Sequence, residues 1–288
     1  MLLTAALQAQ PSFRASIDLV TIPVTVTGRD GTAFPGELSA GDFRLYEDGV
    51  LQQVTVVSHE PRPISLCILL DSSPSMASGR QALATRTVDG MLAALAPDDE
   101  ASLLFFASTV KVAMPWTRGD AVGKVPWLEW RLSLGTALID AMKVALRQVE
   151  RAHNALPVIV VVSDGGENAS GTPLTGLVAT RRQSETLVYA IDTVLPPSRW
   201  APPVNRAFAD FLPALVGDSG GTVFTVRSPE AGELAARAFI EELRAQYTLG
   251  YVPKRALDGR YRQVKVESTR AGLSVRHRGG YLAVAHTP

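Results

Sequence analysis

The chain has 288 residues, of which 46% are hydrophobic, and its 28 basic side chains balance its 28 acidic ones. This length suits one large domain with a smaller one, or two domains, and the composition is that of a globular protein with a sizeable core. The charge balance argues against nucleic acid as a partner, because neutralising phosphates needs an excess of basic residues. No apolar run approaches the roughly 20 residues that cross a bilayer as a helix, so no transmembrane segment is predicted.

The N-terminal segment MLLTAALQAQPSF is apolar and has small residues before a proline. It resembles the end of a secretory signal peptide whose start lies upstream, although it lacks the basic residues that begin such a signal. We therefore expect an extracytoplasmic location, secreted or periplasmic, with a frayed terminus of a cytoplasmic protein as the alternative. The single cysteine, Cys67, lies in an apolar run and is expected to be a buried thiol without a disulfide or metal role.

Residues 14–60 show the two-residue alternation of half-buried β-strands, clearest in the segment VTIPVTVT at 20–27. Asp48-Gly49 is a hairpin-turn sequence, after which VLQQVTVVS is predicted to return as one strand. The same alternation comes back over 246–284. Because the two ends of a chain often lie close together, we expect regions 14–60 and 246–284 to pair into one small β-sandwich.

Region 62–245 alternates short, fully apolar runs with segments of helical periodicity. The apolar runs are LCILL (66–70), SLLFFA (102–107), VIVVV (158–162) and TLVYAI (186–191), with GTVFTV (221–226) a weaker example. Fully apolar strands are typical of a parallel sheet covered on both faces, and the intervening helices complete the pattern. The predicted fold class is therefore α/β, with a doubly wound, mostly parallel sheet in this domain and the small β-sandwich beside it.

Oxygen-bearing side chains follow two of these apolar runs. Asp71, Ser73 and Ser75 form a D-x-S-x-S sequence directly after LCILL, Thr136 precedes a predicted helix, and Asp164 ends the VIVVVSD strand. Ligands of open α/β sheets bind outside the carboxyl ends of the strands, so these three loops are expected to converge. Their two carboxylates and three hydroxyls suit a hard divalent cation, Mg²⁺ first, with Mn²⁺ or Ca²⁺ as alternatives. One coordination position then stays open for a carboxylate from another molecule.

These residues resemble the metal-ion-dependent adhesion site of the von Willebrand factor type A domain family. That site uses D-x-S-x-S after the first strand, a threonine in a later loop and an aspartate after the fourth strand. The resemblance covers 62–245 and implies that the serines and the threonine contact the metal, while the carboxylates bind it directly or through water. The segments LSAGDFRLYEDG and QYTLGYVP also resemble the flanks of a bacterial subgroup whose members are typically exported.

The open coordination position predicts a non-enzymatic, metal-dependent adhesion module that binds an Asp or Glu side chain of a partner protein. Two alternatives remain. A metal-assisted hydrolase of phosphate or acyl esters would use the same cluster with Asp71 as nucleophile or ligand, although no P-loop lysine or general-base histidine accompanies it. A metal-free scaffold would instead make its contacts through the β-sandwich.

Other motifs point to less specific roles. The sequence GDSGG at 217–221 resembles the nucleophile motif of trypsin-like proteases, but an α/β domain is not a double β-barrel and no histidine lies in a matching motif. We expect a glycine-rich helix exit there instead. The four histidines are scattered, so no zinc site is predicted. Trp127 and Trp130 precede the Thr136 loop and either border the binding face or pack in the core.

Overall fold

The computed structural model describes residues 19–77, 79–125, 127–194 and 210–284. The signal-like segment at the N-terminus lies outside these described residues. The first described part of the chain contains four strands and a short 3-10 helix at Ala40–Asp42. The strands are β1 (Val20–Thr27), β2 (Phe43–Glu47), β3 (Val50–Gln52) and β4 (Val54–Ser58).

The middle of the chain alternates strands with helices. Its strands are β5 (Ile64–Asp71), β6 (Glu100–Phe106), β7 (Val110–Arg118), β8 (Leu156–Ser163), β9 (Leu187–Thr193) and β10 (Val223–Val226). Its helices are α1 (Gly79–Ala93), α2 (Leu138–Val149), α3 (Leu174–Arg181), α4 (Phe211–Val216) and α5 (Pro229–Arg244). The strands form one sheet in the order β10-β9-β8-β5-β6-β7. All neighbours are parallel except the β6–β7 pair, which confirms the predicted, mostly parallel sheet.

Strand β5 lies at the centre of this sheet and is buried at every position. Leu66 and Ile68 pack in a core with side chains of α1 and α5, whereas Cys67 and Leu69 pack on the opposite face against α2 and α3. A strand covered on both faces needs apolar side chains at consecutive positions, which explains the run LCILL. Burial raises the pKa of the Cys67 thiol to about 12, so this cysteine is an unreactive core residue.

The last described part of the chain again forms strands. They are β11 (Tyr247–Tyr251), β12 (Tyr261–Ser268), β13 (Ser274–His277) and β14 (Gly280–Leu282). Together with the first four they make two four-stranded antiparallel sheets, ordered β13-β1-β11-β4 and β14-β12-β2-β3. The sheets share one core, which includes Ile22, Leu45, Leu249 and Val266. The N-terminal and C-terminal strands thus form a single β-sandwich, which agrees with the predicted fold class.

One predicted strand differs from the structure. The segment VLQQVTVVS was expected to return as one strand, but it divides at Gln53 into β3 and β4. Strand β3 pairs with β2 in one sheet, and β4 pairs with β11 in the other. The chain therefore crosses from sheet to sheet at a corner of the sandwich. The hairpin turn before it forms as predicted, with positive φ angles of 47° at Asp48 and 80° at Gly49.

Polar side chains join the sandwich to the α/β domain where α5 ends. The amide of Gln246 donates to the hydroxyl of Thr25 at 3.2 Å and to that of Tyr189 at 3.3 Å. Arg276 of β13 forms an ion pair with Glu242 of α5 and donates to the backbone oxygen of Gly220 at 3.0 Å. These contacts fix the sandwich against the edge of the parallel sheet formed by β9 and β10.

Candidate metal centre

The candidate site lies at the carboxyl edge of the central sheet, between β5 and β8. The chain leaves β5 through α1 toward β6 on one side, whereas β8 lies on the other side of β5. The strand order therefore reverses at this point, which is where open α/β sheets form a ligand crevice. Asp71 is the last residue of β5, and Asp164 directly follows β8.

The Asp71 carboxylate is fully buried and held by two hydrogen bonds. Its Oδ1 accepts from the backbone N–H of Ser73 at 2.7 Å, and its Oδ2 accepts from the hydroxyl of Ser163 at 2.6 Å. Burial raises the pKa of Asp71 to about 6; the hydrogen bonds from Ser163 and Ser73 oppose this rise, and the charge of Asp164 adds to it. A carboxylate in this position would gain stability from a nearby cation.

The two serines of the D-x-S-x-S sequence lie side by side. The Oγ atoms of Ser73 and Ser75 are 2.9 Å apart and share a hydrogen bond. Ser73 is buried and Ser75 is exposed, because the chain turns outward through a short 3-10 helix at Pro74–Met76. Two hydroxyls therefore follow the buried carboxylate along one tight loop.

The loop that contains Thr136 is fastened to the loop after β8. The backbone N–H of Thr136 donates to Oδ1 of Asn168 at 2.9 Å, and its backbone oxygen accepts from the N–H of Asn168 at 2.9 Å. Glu167 accepts from the backbone N–H of Ile139 at 2.9 Å and so caps the start of α2. Gly135 has a φ of 79°, which favours glycine, and a Cβ there would stand only 3.2 Å from the Cβ of Ala169.

Asp164 and Thr136 face the same small space. A Cβ on Gly166 would stand 3.4 Å from Oδ1 of Asp164 and 3.8 Å from Oγ1 of Thr136. The charge of Asp164 also acts on Asp71. The structure therefore brings the residues of all three loops to one edge of the sheet. Asp71 is buried there, Thr136 and Asp164 lie near each other, and Ser75 is exposed.

Ser163 and Asn168 contact the predicted ligands, and Nε of Arg80 lies 3.9 Å from Oδ2 of Asp164. None of these three residues was predicted from the sequence. Leu70 pairs with Val162 in the parallel register, so the next residues, Asp71 and Ser163, lie level with each other. Aligning the ends of the apolar runs LCILL and VIVVV would have predicted that Ser163 lies next to Asp71. Asn168 and Arg80 gave no such signal, because their contacts depend on loop conformation.

The donor set suits a hard divalent cation by its chemistry. Two carboxylates and three hydroxyls provide only oxygen ligands, which Mg²⁺, Mn²⁺ and Ca²⁺ prefer. Over the described part of the chain, no group of three or more His, Cys, Asp or Glu side chains is placed to hold a metal ion. A cation at this site would thus depend on hydroxyls, water and an oxygen from another molecule to complete its coordination.

The GDSGG sequence has a structural role. Ser219 is buried, and its hydroxyl lies 3.1 Å from both the backbone nitrogen and the backbone oxygen of Val188, accepting from one and donating to the other. Gly217 ends α4 with a φ of 44°. The structure therefore has the predicted glycine-rich helix exit, and the Ser219 hydroxyl is hydrogen-bonded to the backbone.

The tryptophans before the Thr136 loop differ in environment. Trp130 is buried in the core beneath α1, with its ring centroid 6.3 Å from that of Phe105. Trp127 is half-buried, packs against the same core, and donates from its indole N–H to Asp89 at 3.2 Å. Core packing therefore accounts for both.

Comparison with known proteins finds a family match for the central part of the chain. Residues 66–167 match the family model of the von Willebrand factor type A domain, and this range contains all five candidate ligands. A search of curated proteins finds no match to the sequence.

Solved structures that the chain matches include the following three. The pilus adhesin SpaC of Lactobacillus rhamnosus GG, in an open conformation, is 9% identical with a TM-score of 0.50, over 89% of this chain and 46% of that chain. A von Willebrand factor type A protein of Catenulispora acidiphila is 13% identical with a TM-score of 0.49, over 94% of this chain and 74% of that one. The conserved hypothetical protein BatB of Bacteroides thetaiotaomicron is 17% identical with a TM-score of 0.48, over 62% and 98% of the two chains.

Proposed function

We propose, from the premise that this chain contains a von Willebrand factor type A domain, that it is a non-enzymatic protein-binding module. In this proposal the chain captures an Asp or Glu side chain of a partner protein through a divalent cation. The observation that supports it most directly is the meeting of Asp71, Asp164 and Thr136 at one edge of the sheet, with the Asp71 carboxylate buried.

The proposed ligands are Asp71, Ser73, Ser75, Thr136 and Asp164, and the proposed cation is Mg²⁺, with Mn²⁺ or Ca²⁺ as alternatives. Two carboxylates balance the charge of a dication, and hydroxyls add coordination without adding charge. A cation held in this way supplies a Lewis-acid position for an incoming carboxylate. Ser163 and the backbone of Ser73 would keep the Asp71 carboxylate in a fixed orientation for that purpose.

An exposed apolar side chain beside the site favours a protein partner. Leu134 lies two residues before Thr136 and is 80% exposed, and Leu132 in the same loop is also exposed. The loop is anchored beneath these leucines by a 2.9 Å hydrogen bond from the backbone N–H of Ser133 to the backbone oxygen of Ser72. An anchored loop that presents leucine next to a carboxylate-binding position offers apolar contact area as well as a charge anchor.

The hydrolase alternative has no histidine base at the site among the described residues. Of the histidines, His59 stacks on Tyr247 in the sandwich, His153 binds Glu100 at the start of β6, and His277 lies in β13. None of these three, which are the histidines of the described residues, contacts the proposed ligands. General-base catalysis needs such a group within hydrogen-bond reach of the attacking water. The metal-free scaffold has no specific observation in its favour, and we rank both below the binding module.

Isothermal titration with MgCl₂ is the first test. We expect the wild type to bind one Mg²⁺, and Asp71→Asn and Thr136→Val to give no measurable heat. Asp120→Asn is the matched control, because Asp120 is an exposed carboxylate whose ion pair with Arg118 lies outside the site. Circular dichroism would check that each variant is folded. Mg²⁺ binding that is equal in the wild type and Asp71→Asn would refute the proposal.

Peptide selection then tests the kind of partner. A displayed peptide library is bound to the immobilised chain in Mg²⁺ and eluted with EDTA. Selected peptides are expected to contain Asp or Glu and to lose binding when that residue is changed to Asn or Gln. Peptides that bind equally well with EDTA present, or that contain no acidic residue, would contradict capture through a metal.

The extracytoplasmic location and the absence of a nucleic-acid partner remain predictions from the sequence. The balanced formal charge supports the second of these. Among the described helices, none is long and apolar enough to cross a membrane. Fractionation of the source cell would test the location.

A further inference from the structure

Arg80, in the first turn of α1, lies beside the candidate metal ligands. Its Nε donates to the backbone oxygen of Thr193 at 2.9 Å, and its Nη1 donates to the backbone oxygen of Ser75 at 3.0 Å. The same Nε is 3.9 Å from Oδ2 of Asp164. The guanidinium thus lies between the D-x-S-x-S loop, the end of β9 and one of the two proposed carboxylate ligands.

Near Arg80, the charge of Asp164 acts on two other carboxylates, those of Asp192 and Asp71. Asp192 of β9 lies opposite Ser163 in the parallel register, next to Asp164. Burial raises the pKa of Asp192, the charge of Asp164 raises it further, and Arg80 and Arg227 act in the opposite direction. The same Asp164 charge acts on Asp71. Arg80 is therefore placed to offset part of a concentrated negative charge.

We propose that Arg80 is a resident counter-cation of this site, which stabilises Asp164 in the metal-free protein and weakens the binding of a divalent cation. The inference rests on the proposed function, because it assigns a residue that tunes the affinity of the same site. The side chains of Arg80 and Asp164 are only 22% and 16% exposed. At this depth solvent screens charges less than at the surface, so the guanidinium repels a dication held by Asp164.

A purely structural role for Arg80 makes a different prediction. If the side chain only ties Ser75 to Thr193, any substitution loosens the loop and weakens Mg²⁺ binding. A counter-cation has the opposite effect: removing its charge strengthens metal binding and destabilises the metal-free protein. Arg80→Gln removes the charge and keeps a side-chain donor, whereas Arg80→Lys keeps the charge and loses the planar fork.

The test is calorimetric Mg²⁺ titration, combined with urea unfolding in EDTA, of the wild type, Arg80→Gln and Arg80→Lys. We expect Arg80→Gln to bind Mg²⁺ about ten-fold more tightly and to unfold at lower urea in EDTA. Arg80→Lys is expected to bind Mg²⁺ within a few-fold of the wild type. Arg86→Gln is the matched control on the same helix; its side chain is 58% exposed and lies 3.6 Å from Glu233, away from the site.

The outcomes separate this inference from the proposed function. If the wild type binds Mg²⁺ and Arg80→Gln binds it equally or more weakly, the counter-cation role is overturned and the proposed function stands. If neither protein binds Mg²⁺, Mn²⁺ or Ca²⁺, both are overturned. Binding by Arg80→Gln alone, or folding of Arg80→Gln only when Mg²⁺ is added, supports the inference. If Arg80→Gln fails to fold both with and without Mg²⁺, the counter-cation role is overturned, and the role of Arg80 is purely structural.

Discussion

The hydroxyl of Ser163 donates a hydrogen bond of 2.6 Å to Oδ2 of Asp71, joining the ends of two neighbouring parallel strands. The register that pairs Leu70 with Val162 puts these two side chains level at the carboxyl edge of the sheet. The same Ser163 oxygen accepts from the backbone N–H of Gly165 at 3.0 Å. Ser163 thus orients the buried carboxylate and also shapes the turn that leads from β8 past Asp164.

We predict that Ser163→Ala weakens Mg²⁺ binding by about ten-fold or more, because the Asp71 carboxylate loses the hydrogen bond that orients it. Isothermal titration measures the change. Ser65→Ala is the matched control: Ser65 donates to Glu100 at 2.5 Å, from a buried position at the opposite end of β5. Both substitutions remove a buried serine–carboxylate bond, but only Ser163→Ala is expected to change the metal affinity. Equal Mg²⁺ affinities of Ser163→Ala and the wild type would refute the orienting role.

Leu134→Ser should weaken the binding of a selected acidic peptide and leave Mg²⁺ affinity unchanged. The side chain is largely exposed and is not a metal ligand, so it contributes only through apolar contact with a partner. We expect a loss of about ten-fold in peptide affinity, measured by fluorescence anisotropy in saturating Mg²⁺. Leu234→Ser, an exposed leucine on α5, is the matched control and should have no effect. An unchanged peptide affinity in Leu134→Ser would remove that loop from the binding face.

Much of the central sheet was predictable because its signal is local. A strand covered on both faces must be apolar throughout, so LCILL and VIVVV identified the two central strands. The edge strand β7 gave no such signal, since its residues are half-buried or exposed and it contains Pro115. The division of VLQQVTVVS into two strands was also missed, because no glycine or proline marks the corner at Gln53.

The candidate site was predictable in its side-chain chemistry and in its place at the sheet edge, but not in its detailed contacts. The D-x-S-x-S sequence and Asp164 follow predicted strands, so their position at one sheet edge follows from the fold class. The contacts of Arg80 with Ser75 and Thr193 join residues up to 113 positions apart and depend on the exact path of two loops. No periodicity in the sequence encodes such a contact.

A buried ion pair in the sandwich was likewise invisible to sequence patterns. Glu47 of β2 accepts from Arg262 of β12 at 2.8 Å and from the hydroxyls of Tyr251 and Tyr281 at 2.7 Å each. Both charged side chains are only 1% exposed. In the sequence, Glu47 and Arg262 each look like a solvent-facing polar residue of an alternating strand.

We predict that Glu47→Gln lowers the free energy of unfolding by roughly 3 kcal/mol, because Arg262 loses its buried counter-ion. Its remaining carboxylate partner, Asp258, lies 3.0 Å away and is 37% exposed. Urea denaturation measures the loss. The double variant Glu47→Gln with Arg262→Met should lose less than the sum of the two single variants. Lys265→Ala, which breaks the exposed pair with Glu267 on the same strand, is the control and should change stability little. Additive losses in the double variant would show that the two side chains do not stabilise each other.

Stability is also expected to depend on pH through His277. Its Nε2 accepts from the backbone N–H of Val266 at 3.0 Å, and its Nδ1 donates to the backbone oxygen of Arg278 at 2.7 Å. These partners require the neutral ring, and burial lowers the pKa of His277 below 6.5. Below pH 6.5 the unfolded chain therefore binds a proton that the folded chain does not. Stability contributed by the neutral ring is full above pH 6.5 and is lost as the pH falls toward the lowered pKa.

Urea midpoints of the wild type should accordingly fall between pH 7.5 and pH 5, and those of His277→Gln should fall less over the same range. His59→Gln is the matched control, because His59 stacks on Tyr247 elsewhere in the sandwich, with ring centroids 4.1 Å apart. It should keep the pH dependence of the wild type. If His277→Gln and the wild type lose stability in parallel as the pH falls, His277 is protonated equally in both states, and the acid sensitivity of the sandwich arises from other groups.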